Sequence, residues 1–235
     1  MSLPVAILAG GMSTRLRPIT EKIPKSLVDV GGKPFIIRQL EYLRRQGITR
    51  VILCLGYMGD QVEAIVGDGS DFGIIVSYSH DGPRLLGTGG ALKQALPLLG
   101  EQFFVFYGDS YLPIDFRAVE RNFLLSGKLA IMTVLKNSGQ WDKSNVLFKD
   151  SIIFEYDKQA PNPEMAYIDY GLGVLSASVL ENVPFNKPYD LADIYHELSL
   201  QGLLAGHEVF ERFYEIGSHK GLQETINYFK QTDIL

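Results

Sequence analysis

Apolar residues gather in short, nearly continuous runs at 4–8, 50–55, 74–78 and 103–107, separated by stretches in which they recur with a helical period. Aliphatic and β-branched runs of this length read as strands buried on both faces, the habit of parallel sheets. Residues 34–46 place Phe35, Ile36, Leu40 and Leu43 on one helical face and Arg38, Glu41, Arg44 and Arg45 on the other. Pro34 suits the first turn of that helix and Gly47 its stop. Residues 60–66 and 90–99 are further helices. The β-α-β-α alternation through Asp109 predicts a doubly wound sheet with its ligand at the carboxyl ends of the strands.

The second half is less regular. It predicts a strand at 128–136, two short strands within 145–156 turning at Lys149-Asp150, and a strand at 168–175. Helices are expected at 176–182, 191–200 and 219–229, and polar loops at 137–145 and 159–164. No stretch has the length or bias of a flexible linker, and there is no internal repeat or low-complexity tract. The expected product is one α/β domain over 1–235, a Rossmann-like three-layer α/β/α arrangement with a mixed, mainly parallel central sheet.

Composition narrows the function. With 46% hydrophobic and 21% charged residues the chain is globular, and 22 Lys+Arg against 27 Asp+Glu leave a net charge of −5. No apolar run approaches a bilayer span and the start lacks a signal-peptide pattern, so a soluble, cytoplasmic protein with no membrane partner is expected. The acidity argues against nucleic acid. A single cysteine, Cys54, excludes an internal disulfide framework and a multi-cysteine zinc site; inside an apolar run it reads as an inert buried thiol. Against this background, residues 11–33 carry five cations (Arg15, Arg17, Lys22, Lys25, Lys33) and two anions.

The first strand runs directly into Leu8-Ala9-Gly10-Gly11-Met12-Ser13-Thr14-Arg15-Leu16-Arg17-Pro18. Glycines and small hydroxyl residues after a strand let backbone N–H groups approach a phosphate, although Gly-Gly is also a common tight turn. Neither a Walker A loop nor the three-glycine dinucleotide fingerprint is present. Arg15 and, ten residues on, Lys25 add a planar donor fork and a compact point charge suited to a triphosphate. Asp109 closes a buried strand, where a carboxylate is costly unless paired or on a metal. The four histidines show no metal-ligand spacing. Trp141 sits in a polar loop, either covering a pocket or anchoring the loop by packing.

These motifs, with Leu86-Gly-Thr-Gly-Gly-Ala-Leu92, Gly108-Asp-Ser110, Tyr156-Asp-Lys158, Asp169-Tyr-Gly-Leu-Gly173 and Tyr214-Glu-Ile-Gly-Ser218, resemble the sugar-1-phosphate nucleotidyltransferases over nearly the whole chain, in the compact bacterial form without a C-terminal β-helix. The resemblance implies that Leu8, Ala9, Gly10, Gly11 and Thr14 bind the nucleotide, with Arg15 and Lys25 catalytic at the triphosphate. It places Gly87, Thr88 and Gly89 near the nucleoside, where the residues alone fit a helix-entry turn equally well. It assigns Mg²⁺ to Asp109 and Glu215, the latter standing where many relatives have aspartate, and it assigns Lys158, Tyr170 and Gly171 to the sugar phosphate.

The implied partners are a nucleoside triphosphate and a sugar 1-phosphate, with self-association common among relatives. Gly-Thr-Gly-Gly-Ala resembles the heptose-1-phosphate and mannose-1-phosphate guanylyltransferases more than the thymidylyltransferases. The alternatives are CTP- or UTP-dependent transfer to another sugar phosphate or phospho-amino alcohol, and a catalytically silent nucleotide-binding homologue. A nicotinamide-dependent oxidoreductase would need the missing glycine fingerprint. Asp81 is a further candidate for reading the base edge.

Overall fold

The computed structural model describes residues 2–141 and 143–232; Asp142, inside the loop expected at 137–145, lies outside them. Among these residues the strands are β1 (Val5–Leu8), β2 (Arg50–Leu55), β3 (Ile75–His80), β4 (Gln102–Tyr107), β5 (Ser110–Tyr111), β6 (Ala130–Lys136), β7 (Val146–Lys149), β8 (Ile152–Tyr156), β9 (Tyr167–Ser176), β10 (Leu204–Val209) and β11 (Tyr214–Glu215). The α-helices are α1 (Phe35–Arg45), α2 (Gly59–Val66), α3 (Gly87–Leu99), α4 (Phe116–Ser126), α5 (Leu191–Leu200) and α6 (His219–Thr232). The main sheet has the order β3-β2-β1-β4-β9-β6-β10-β8-β7, and β11 pairs separately with β5.

β1, β2, β3 and β4 are mutually parallel, β9 runs against both β4 and β6, and β6 is parallel to β10. With β8 antiparallel to β10 and β7 antiparallel to β8, only β9 and β8 oppose the common direction, so the sheet is mixed but mainly parallel. Its two faces carry separate cores. Val5 and Ile7 of β1 pack with residues of α1, α2, α4 and α6, whereas Ala6 faces α3 and α5. Alternate residues of one strand thus feed both layers, as the apolar run 4–8 requires. No helix among the described residues is long and apolar enough to cross a membrane.

Three features depart from the sequence reading. α4 is an additional helix, capped by Asp115, whose carboxylate accepts the Arg117 N–H at 2.9 Å. Its exposed Leu124 and Leu125 blur the apolar stripe that would have announced it. β10 is an additional strand made of Leu-Ala-Gly-His-Glu-Val, a poor strand sequence held by neighbours on both sides. Conversely, the helix expected at 176–182 is only the 3-10 turn Ala177–Leu180, because Pro184 follows too soon for a helix to propagate.

Candidate active site

β1 pairs with β2 and with β4 so that Leu8 lies opposite both Cys54 and Tyr107, and the chain leaves all three strands at one edge of the sheet. The loops that follow lie side by side. Ala9 N–H donates to the Cys54 carbonyl and Gly108 N–H to the Leu8 carbonyl, each at 2.9 Å. Gly108 is required by this closeness, since a Cβ there would stand 2.8 Å from the Leu8 carbonyl oxygen. Gly11 differs, because a Cβ at its position would meet nothing within 4 Å. Its backbone therefore faces open space, as a phosphate-binding loop demands.

A cavity of about 230 Å³ opens over these loops. Leu8, Ala9, Gly10, Gly11, Lys25 and Asp109 line one side, and Gly87 and Thr88, at the start of α3, line another. Lys25 bonds to Asp109 at 2.6 Å with only 15% of its side chain exposed, so each partly desolvated charge neutralises the other. The Asp109 loop is held from beneath by the fully buried Gln39 of α1, whose amide donates to the Tyr107 and Ser110 carbonyls at 3.1 and 2.7 Å. Thr14 and Arg15 lie on an exposed 3-10 turn and do not line the cavity. The Arg15 guanidinium nevertheless approaches Lys25: the point where a Gly217 Cβ would sit is 3.4 Å from one and 3.1 Å from the other.

Beyond the cavity the remaining residues sort differently. Thr88 donates to the Asp190 carboxylate and accepts the Leu191 N–H, both at 2.8 Å, which ties α3 to the cap of α5. Lys158 is 60% exposed, with its ammonium 3.9 Å from Asp190. Gly171, at φ +105°, abuts the Tyr107 ring, where a Cβ would lie 3.4 Å away. Gly171 N–H donates at 2.9 Å to Asp169, whose partial burial raises its carboxyl to about 6 against the nearby Lys158 charge.

Two expected residues do not belong to this surface. Tyr170 is 2% exposed and points into the opposite core, edge-on to Phe213, because neighbouring positions on a strand face opposite sides. Gly89 is buried against Tyr189 and Asp190, where it permits close packing of α3 rather than access to a base. Glu215 lies beside Asp109, since Ile216 N–H donates to the Asp109 carbonyl at 2.9 Å, but its carboxylate is turned toward α6: one oxygen accepts the Gly217 N–H and the other the Ser218 hydroxyl at 2.7 Å.

Asp81, the candidate for the base edge, follows β3 and also lines the cavity; it accepts the Leu86 N–H at 3.0 Å, and burial raises its carboxyl above the ordinary value. Other candidates escaped the motif reading. Tyr107 and Leu85 line the cavity too. Asp190 carried a visible signal, an aspartate immediately before an amphipathic run. Cys54 is buried beneath the cavity, and burial pushes its thiol up to about 12. Trp141 packs on Phe213 with ring centroids 4.7 Å apart and is a loop anchor.

The donor set constrains any metal. Among the described residues there is no cluster of three or more His, Cys, Asp or Glu side chains able to hold an ion. One hard carboxylate beside a phosphate-sized opening matches Mg²⁺, which commonly takes one or two carboxylates and completes its shell with water and substrate phosphates. Asp109 fits that role; Glu215, with both oxygens already accepting hydrogen bonds, fits it less well.

The profile of the Nucleotidyl transferase family matches residues 5–139, more than half of the chain, and the chain belongs to that family. It is 44% identical over 113 residues to the N-acetylmuramate alpha-1-phosphate uridylyltransferase of Neisseria meningitidis serogroup B, covering 48% of this chain and 49% of that one. It is 31% identical over 221 residues to mannose-1-phosphate guanyltransferase beta-A of Xenopus laevis, covering 91% and 61%. The chain thus spans about half to three-fifths of these relatives' lengths. Among solved structures, HddC from Yersinia pseudotuberculosis complexed with GMP-PN superposes with a TM-score of 0.80 at 26% identity, covering 97% of this chain and all of that one.

Proposed function

We propose that the protein transfers a nucleotidyl group from a nucleoside triphosphate to a sugar 1-phosphate. The observation that carries this reading is the cavity itself: an open glycine loop, Lys25 and Asp109 at one side, Arg15 next to Lys25, and a second cation, Lys158, reached through Thr88 and Asp190. Two separated cationic positions suit two phosphorylated substrates whose mutual repulsion must be overcome. An acceptor phosphate oxygen forms the new bond to the α-phosphorus while the bond to the bridging oxygen of the leaving pyrophosphate breaks.

A phosphate monoester has its second pKa near ~6, so the nucleophile is already anionic at neutral pH and no general base is needed. Lys25 and Arg15 then stabilise negative charge growing on the departing pyrophosphate. Lys158 orients the acceptor phosphate. Asp109 would hold Mg²⁺, which supplies charge neutralisation on the triphosphate. Until a nucleotide arrives, the Lys25 ammonium keeps Asp109 compensated.

For the nucleotide, GTP is the first choice, with a heptose or mannose 1-phosphate as acceptor. The GMP-PN bound by the structural neighbour and the guanyltransferase among the relatives support it. UTP is the second, favoured by the 44% identity to a uridylyltransferase. The test follows pyrophosphate release with Mg²⁺, each of GTP, UTP, CTP, ATP and dTTP, and a panel of sugar 1-phosphates. Release with one matched pair, abolished by EDTA, is expected; no release with any pair would reject transferase activity toward these acceptors.

A further inference from the structure

Glu215 occupies the place where a second metal carboxylate is expected, yet the chain uses its carboxylate otherwise. One oxygen accepts the Gly217 N–H and the other accepts the Ser218 hydroxyl at 2.7 Å. Ser218 Oγ in turn accepts the Gly221 N–H at 3.0 Å, within the first turn of α6. The glycines make room for this arrangement: a Cβ on Gly217 would stand 2.5 Å from one carboxylate oxygen, and a Cβ on Gly221 would overlap the other. A carboxylate here also faces the positive end of a 14-residue helix, a favourable electrostatic placement.

The backbone around Glu215 is bound into the same unit. Its carbonyl accepts the Thr225 hydroxyl at 2.8 Å, and Glu215 pairs with Ser110 across the short β11–β5 ladder. The next residue, Ile216, donates to the carbonyl of Asp109. Gly217, held by the Glu215 carboxylate, borders Lys25 and Arg15. Glu215 therefore connects the start of α6 to the segment carrying Asp109 and to the surroundings of both catalytic cations.

We infer that Glu215 is a positioning residue that clamps the first turn of α6 against the Asp109 loop, and that a divalent cation in this site has Asp109 as its one protein carboxylate. The inference rests on the nucleotidyl-transfer reading only for its metal half; the clamp stands on the hydrogen bonds alone. The one-methylene difference from aspartate then has a purpose: the longer side chain reaches back to the helix start.

The test uses the whole chain as wild type, Glu215→Gln, Asp109→Asn and Ser218→Ala. Two quantities are measured: Mn²⁺ binding by electron paramagnetic resonance with and without a non-hydrolysable analogue of each nucleotide, and amide exchange across Gly217 to Leu222. Losing an outer-shell partner of a metal ligand costs about 10–100-fold in affinity, so losing the ligand itself in Asp109→Asn should cost about 100-fold or more. Glu215→Gln should hold Mn²⁺ affinity within about twofold while exchange in the first turn of α6 rises about tenfold or more, as for local opening of a loosened segment. Ser218→Ala leaves the carboxylate intact and should show the same exchange change with unaltered Mn²⁺ binding, which keeps the test decisive if Glu215→Gln does not fold. Equal Mn²⁺ losses in Glu215→Gln and Asp109→Asn, or unchanged exchange in Glu215→Gln and Ser218→Ala, would overturn the clamp. Absence of nucleotide-dependent Mn²⁺ binding by the wild type would instead overturn the nucleotidyl-transfer reading and the metal half with it.

Discussion

At the end proposed to bind the triphosphate, Gly10, Gly11, Arg15 and Lys25 all come from the first 25 residues, and the chain needs only one strand and three 3-10 turns to present them. At the end proposed for the acceptor, Thr88, Lys158, Asp169 and Asp190 come from four elements or loops spread over more than 100 residues, joined by the Thr88–Asp190 and Lys158–Asp190 contacts and by the Lys158 charge near Asp169. The first end is an open backbone surface with cations at its rim. The second is a set of mutually compensating charges, in which Lys158 faces two carboxylates. On the proposed reading, the local loop carries the reaction and the assembled end is free to vary with the acceptor. Removing a cation should therefore damage turnover at the first end and affinity at the second.

The largest effect is expected at Lys25 and Arg15. Alanine at either should lower kcat/KM by about 10²–10³-fold, the cost typical of losing one group that stabilises developing charge. Lys25→Ala also leaves Asp109 without its partner, so a modest fall in melting temperature accompanies it; Arg15 is exposed, and its alanine variant should melt like wild type. A rate within twofold of wild type in both variants, followed by pyrophosphate release, would remove the phosphate end from the mechanism.

Lys158→Ala should act on the other half. The side chain is exposed and its ion pair with Asp190 is long, so stability should move by less than about 0.5 kcal/mol. Loss of one charge-assisted contact, about 1.5–3 kcal/mol, predicts a rise in KM for the sugar phosphate of about tenfold or more, with KM for the nucleotide unaltered. Steady-state kinetics with each substrate varied in turn would blur the two ends into one if both constants rose together.

The two glycines separate folding from binding within the phosphate end. Gly108→Ala forces a methyl group against the Leu8 carbonyl and should cost about 1–3 kcal/mol by overpacking. Gly11→Ala meets no protein atom, so thermal denaturation should match wild type while KM for the nucleotide rises, because the new methyl stands where a phosphate would approach. If Gly11→Ala leaves that KM unaffected, the loop is a turn and nothing more.

How much of this was legible follows the same division. The apolar runs that became β1, β2, β3 and β4 could be read because parallel strands buried on both faces leave a continuous signal, and the loop after β1 could be read because its chemistry is consecutive. β10 could not, since Ala205, Gly206 and His207 have no strand preference and are ordered by β6 and β8. Tyr170 was misplaced for a related reason: a motif names consecutive residues, but a strand sends Asp169 and Tyr170 to opposite faces, and only the sheet decides which one lies near Lys158. Glu215 shows the limit for charge, because residue type suggests a metal ligand while each carboxylate oxygen already accepts a hydrogen bond, from Gly217 or from Ser218.

The smallest expected effect tests the compensated character of the acceptor end. Partial burial of Asp169 raises its carboxyl from 3.8 to about 6, so the folded protein holds a proton there that the unfolded chain releases. Between about pH 4 and pH 6 stability therefore falls as pH rises, and above pH 6 the protein carries the full cost of the ionised group. Asparagine at this position cannot ionise and keeps an oxygen to accept the Gly171 N–H. Asp169→Asn should therefore melt above wild type at pH 8, with the difference shrinking through pH 6 and disappearing near pH 4. Melting curves of the pair across that range decide the point, and a variant less stable at pH 8 than at pH 4 relative to wild type would mean that Lys158 compensates the Asp169 charge more fully than burial penalises it.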